Sequence, residues 1–124
     1  MKIHKIILII VFSLCTIASM ARNEENINLH YPGGGHTHYN IPIPADMPDA
    51  YYNNVSQTII IDGTGEVDYY DVEIFSVTSS TTMISTQVNG YYDTIDISSL
   101  SDGEYGIIIY SLTGNIFDGF FEIY

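Results

Sequence analysis

From residue 55 to the C-terminus, apolar residues recur at every second position in short runs, and no stretch after residue 22 carries the period of a helix. That pattern restricts the chain to strands with one face buried. Tyr70, Val72 and Ile74 alternate with Asp71 and Glu73, and Phe117, Gly119, Phe121 and Ile123 alternate with Asp118, Phe120 and Glu122. Ile107, Ile108 and Ile109 are contiguous, so the strand over 105–110 is predicted to be the most buried. Asp62-Gly63-Thr64-Gly65, the Ser/Thr cluster at 79–82, Asp102-Gly103 and Thr113-Gly114-Asn115 punctuate the runs as turns. Asn89-Gly90 readily takes positive φ at both central positions of a type I′ turn, which predicts a hairpin joining a strand over 83–88 to an arm over 92–97. Short strands separated at regular spacing by turn signals make an all-β chain, an antiparallel β-sandwich.

The first residues are of a different kind. Lys2 and Lys5 precede an apolar run that continues through Leu14 to Ile17, and Ser19-Met20-Ala21 offers a small-x-small exit before Arg22. A positive start, a short apolar stretch and a small-residue exit read as a signal peptide over 1–21. The stretch is too short for a membrane-spanning helix, so no membrane insertion of the mature chain is expected. The predicted destination is secreted, periplasmic or extracellular. Cys15 follows Leu14 where a lipidation site wants a small residue, so it reads as part of the apolar stretch. Residues 22–50 hold all four prolines and Gly33-Gly34-Gly35, which predicts an extended leader. Ile41 and Ile43 alternate with prolines, and proline is tolerated on a sheet edge, so a short edge strand is expected at 41–45. The sandwich domain is then expected over 51–124.

Charge narrows the partners. Fifteen acidic residues all follow residue 23, against the single Arg22, so the mature chain carries −14 with histidines neutral. Such a chain cannot neutralise phosphates, which argues against nucleic acid. Cysteine is absent after residue 15, which excludes a disulfide framework and Cys-ligated zinc in the mature chain.

The last third follows an ordered series of motifs. These are Ile95-Asp96-Ile97-Ser98-Ser99-Leu100, Asp102-Gly103-Glu104-Tyr105, Ile107-Ile108-Ile109, Gly114, and Gly119-Phe120-Phe121-Glu122-Ile123. In that order they resemble the small secreted immunoglobulin-like proteins of Bacteroidetes grouped as a domain of unknown function. Ile41-Pro42-Ile43-Pro44-Ala45 resembles that family's first strand, and the C-terminal sorting domains of type IX secretion share the same order. The resemblance spans residues 41–124 and implies an immunoglobulin-like sandwich of about seven strands. It transfers no catalytic residues.

Few residues suggest chemistry. His36 and His38 flank Thr37 after the triple glycine, and with His30 they are candidate zinc or copper ligands, although three glycines argue against a rigid site. Asp62, Thr64, Glu66, Asp68 and Glu73 match ligand positions of a calcium loop, but Val67 stands where that loop needs glycine. No cofactor is expected. Asn54-Val55-Ser56 and Asp93-Thr94-Ile95 are formal glycosylation patterns. No serine sits in a nucleophile elbow, which argues against an enzyme. Eleven tyrosines remain, and Tyr69, Tyr91 and Tyr110 are candidates for an exposed binding surface. The expected function is an exported, non-enzymatic binding or accessory module for a protein or glycan partner. The alternatives are self-assembly by β-edge pairing and protease inhibition by the leader.

Overall fold

The computed structural model describes residues 24–32 and 42–124. The predicted signal peptide, Cys15, Ile41, His36 and His38 lie outside the described residues. Among the described residues, eight antiparallel strands form two sheets: β1 (Glu24–Ile27), β2 (Asp49–Asn53), β3 (Thr58–Asp62), β4 (Tyr69–Ser76), β5 (Thr82–Asn89), β6 (Tyr92–Asp96), β7 (Gly103–Ser111) and β8 (Ile116–Ile123). The first sheet has the order β1-β2-β3-β6 and the second β5-β4-β7-β8. Strand alternation does what the sequence predicts in the second sheet: Tyr70, Val72, Ile74, Ile107, Ile109 and Phe117 are each 0% exposed and face the first sheet. Ile59 and Ile61 meet them from β3, also at 0%. Each such side chain contributes roughly 1.5–3 kcal/mol by leaving water, which is how a domain without disulfides holds together. An aromatic stack closes one end of the core, with Phe121 5.7 Å from Tyr52 and 5.7 Å from Tyr105.

Three expectations need correction. The boundary at 51 is too late, because β1 and the start of β2 lie before it and belong to the first sheet. Residues 42–45 form no strand; Ala45 and Asp46 make a turn. The true edge is β1, whose Glu24, Glu25 and Asn26 are exposed and whose Ile27 alone is buried. Finally, Asn89-Gly90 is no hairpin. β5 pairs with β4 and β6 with β3, so the dipeptide carries the chain from one sheet to the other. Neither residue has positive φ. Asn89 instead accepts from Tyr91 N and Tyr92 N through Oδ1, at 2.9 and 2.8 Å, which turns the chain by a side chain.

The turn before β2 is held by a buried carboxylate. Asp46 is only 4% exposed. It accepts from Ser111 Oγ and Thr113 Oγ1, each at 2.5 Å, and from Asn115 Nδ2 at 2.9 Å. Tyr70 donates its hydroxyl to the Asp46 carbonyl at 2.7 Å, and Tyr31 donates to Asn115 Oδ1 at 3.2 Å. Burial opposes the charged form, but the bonds from Ser111, Thr113 and Asn115 outweigh it and hold the Asp46 carboxyl below its usual range.

On entering β7 the chain makes a tyrosine corner. Tyr105, 4% exposed, donates its hydroxyl to the Ser101 carbonyl at 2.6 Å, four residues back. Tyr105→Phe keeps the ring stack and leaves that carbonyl unpaired. The expected loss is about 1–2 kcal/mol in denaturant unfolding at unchanged slope, and no loss would mean the bond is not made.

Candidate functional site

The alternation that buries one face of β4, β7 and β8 turns the intervening residues outward, and the register lines them up in rows. Phe75, Gly106 and Phe120 form one row, Glu73, Ile108 and Asp118 the next, and Asp71, Tyr110 and Ile116 the third. Gly106 has no side chain, and the Phe75 ring occupies its place: a β-carbon there would lie 2.1 Å from Phe75 Cζ. Phe120, on the far side of the glycine, is 64% exposed. Two aromatic rings thus flank a backbone floor on an open sheet face.

Carboxylates surround the rings. Glu104 and Glu122 are direct partners across β7 and β8, both exposed, and like charges so placed repel. Neither lysine nor arginine occurs after Arg22, so the described residues hold no permanent cation to relieve them. The nearest is His30, which exchanges main-chain bonds with Asp118 at 2.7 and 3.0 Å, with Nδ1 3.7 Å from Asp118 Oδ1. Tyr110 donates a long bond of 3.4 Å to Glu73 Oε2. Burial, with the Glu73 charge beside it, holds the Tyr110 phenol above its usual pKa.

Of the tyrosines singled out in the sequence, Tyr69 and Tyr110 share this face, set diagonally across β4 and β7. Tyr91 does not join them. It lies in the β5–β6 connection, 69% exposed, with its ring against Gly65. His30 sits at the β8 edge, 67% exposed. Among the described residues, no three His, Cys, Asp or Glu side chains converge as metal ligands, and the calcium-like run spreads from the end of β3 to the middle of β4. Asn54 lies in the β2–β3 turn with its side-chain oxygen buried and without a hydrogen-bond partner, whereas Thr94 is exposed on β6. Two surface clefts, of about 210 Å³ beside Ile27 and Met47 and about 270 Å³ beside Tyr31 and Ile116, are smaller than ordinary ligand pockets.

Sequence reasoning missed Phe75, Phe120 and Asp46. The available signal for the first two was the outward position of each ring in its strand. Their placement on either side of Gly106 depends on register, which the sequence does not display.

No protein-family model matches the sequence, and no curated protein matches it. Among solved structures the chain is similar to a DUF3244 family protein with an immunoglobulin-like β-sandwich fold from Bacteroides vulgatus, at TM-score 0.61 and 10% identity. The match covers 82% of this chain and 99% of that one. At that identity the likeness speaks to fold alone, and it lends no support to the type IX sorting domains. With the two sheets, their order and the tyrosine corner, it makes this chain an immunoglobulin-like β-sandwich.

Proposed function

We propose that this chain is an exported, non-enzymatic binding module, and that the outer face of β4, β7 and β8 holds a protein partner rich in lysine or arginine. The observation that carries the reading is Phe120, 64% exposed in one row with Gly106 and Phe75 on a face ringed by carboxylates. An exposed phenyl ring attracts a cation over its face, and carboxylates without an internal counter-charge add long-range attraction. The flat, open surface suits a protein contact better than enclosure of a small substrate. The signal-like N-terminus supports export.

The test is affinity capture from envelope and spent medium with the purified protein, beside its Phe120→Ala variant. One enriched basic protein is expected, bound about 30-fold more weakly by the variant, as for a central aromatic anchor. Its release by moderate salt would follow from the charges. Recovery of glycan alone would replace this reading with sugar stacking on the same ring. Equal capture by both proteins would place the contact elsewhere.

A further inference from the structure

Each sandwich sheet has two edges, and three of the four carry charge. β1 has Glu24 and Glu25, β6 has Asp93 and Asp96, and β8 has Asp118 and Glu122, with His30 already bonded to the Asp118 main chain. Inserted charge and covering segments are how sheet edges avoid pairing with other chains. β5 has neither. Its eight residues, Thr82–Asn89, contain no charged residue and no proline, and all but Ile84 and Val88 are exposed.

Hydrogen bonds show which of its main-chain groups are free. Gly90 N–H bonds to Asp68 O, toward β4, whereas Asn89 N–H points the other way and bonds to Asp93 Oδ2 at 3.0 Å. Alternation then turns the N–H and C=O of Gln87 and Ser85 outward. The free stretch is closed at both ends. Asp93 caps it at Asn89, and a bulge disrupts it at Met83, where Ile74 pairs with Ile84 but Phe75 with Thr82. What remains is a five-residue edge, 84–88, ready for one extended strand.

We infer that its occupant is β5 of a second copy, paired antiparallel about a two-fold axis at Thr86. That register sets Ser85 opposite Gln87 of the other copy twice, giving about four main-chain hydrogen bonds. It also sets Ile84 opposite Val88 and brings no charge opposite another. Glu73, which pairs with Ser85, would lie three strand spacings, roughly 14 Å, from Asp71 of the other copy, which pairs with Gln87, beyond the screening length of about 8 Å at physiological salt. On β1, β6 or β8 the same pairing would bring carboxylates of two highly acidic chains together. The neutral edge therefore selects a self-complementary partner where the rest of the molecule repels one. The two second sheets become one, and both Phe120 faces point the same way, so a partner with repeated sites would be held by two faces at once.

So short an interface predicts a weak dimer, with a dissociation constant between about 0.1 and 1 mM. The protein expressed from its full coding sequence is measured by sedimentation equilibrium up to millimolar concentration. Added salt should tighten the dimer by screening the net charge. Ser85→Lys/Gln87→Lys places like charges opposite each other twice, while each lysine gains an acidic neighbour on β4 that preserves the monomer. It should weaken association about tenfold. Ser85→Lys/Gln87→Glu makes both pairs opposite in sign and should restore it. A monomer throughout, or a dimer indifferent to the double lysine change, would overturn the inference.

Discussion

Asp46→Ala lowers the stability of the domain by about 3 kcal/mol at neutral pH, and the melting temperature by roughly 12–24 °C. The size follows from what is left behind. Ser111 Oγ, Thr113 Oγ1 and Asn115 Nδ2 all donate to this one carboxylate, and each loses its acceptor. Ser111 is itself only 9% exposed, so water does not readily replace the lost bond. The Tyr70 hydroxyl keeps its partner, because it bonds to the Asp46 carbonyl. The variant therefore separates the side-chain network from the main-chain contact. Differential scanning calorimetry checks the prediction, and a shift below about 4 °C would mean the buried carboxylate is not a tether.

The same residue predicts a pH signature. Its folded pKa is lowered, so its contribution is fully present above the ordinary carboxylate value and fades as pH falls through the folded one. Asp96 is lowered too, by the bonds it accepts from Ser98, so its contribution fades in the same sense. Wild-type stability should therefore fall in acid as Asp46 and Asp96 take their protons. The Asp46→Ala variant should keep the part of the fall that Asp96 causes and lose the rest. Comparing the two curves isolates one carboxylate among fifteen, and parallel curves down to about pH 2 would count against its lowered pKa.

Much of the second sheet was legible in the sequence because β4 and β8 alternate inward and outward residues and β7 carries a run of isoleucines. Val72 and Ile74 declare their side of β4, and the three isoleucines declare the middle strand β7. The first sheet was less legible. Glu24-Glu25-Asn26 has no strand preference of its own, and β1 exists because its partner strand β2 and the burial of Ile27 hold it. Asp46 was read as part of a leader for a related reason: its three donors lie more than 60 residues away. The proposed binding face was half visible. Tyr69 and Tyr110 follow from alternation, while the row that sets Phe75 and Phe120 on either side of Gly106 needs two strand registers known at once. Tyr91 lies apart from them, because exposure alone says nothing about which exposed residues are neighbours.

Asn89-Gly90 was misread through local turn chemistry, and the correct reading predicts the largest steric effect among the described glycines. Here glycine is needed for space. A β-carbon at Gly90 would stand 1.7 Å from the Val67 carbonyl oxygen and 3.2 Å from the Asp68 carbonyl carbon, both main-chain atoms that no rotamer change can move. Gly63 meets the same constraint from the other side, 2.0 Å from the Gly90 oxygen. The two backbones are locked there by bonds from Gly63 N to Tyr91 O at 2.7 Å, Gly65 N to Gly90 O at 3.0 Å and Gly90 N to Asp68 O at 2.9 Å. Gly90→Ala must break part of this lock to admit one methyl group, at an expected cost of about 3 kcal/mol or more. Gly114→Ala supplies the contrast: no atom lies within 4 Å of its β-carbon, and only its φ of 93° opposes the change. That substitution should cost about 1–2 kcal/mol. Urea unfolding of both variants decides between space and conformation. If Gly90→Ala is no worse than Gly114→Ala, the close approach of the β3–β4 and β5–β6 connections is wrong, and the hairpin reading of Asn89-Gly90 returns.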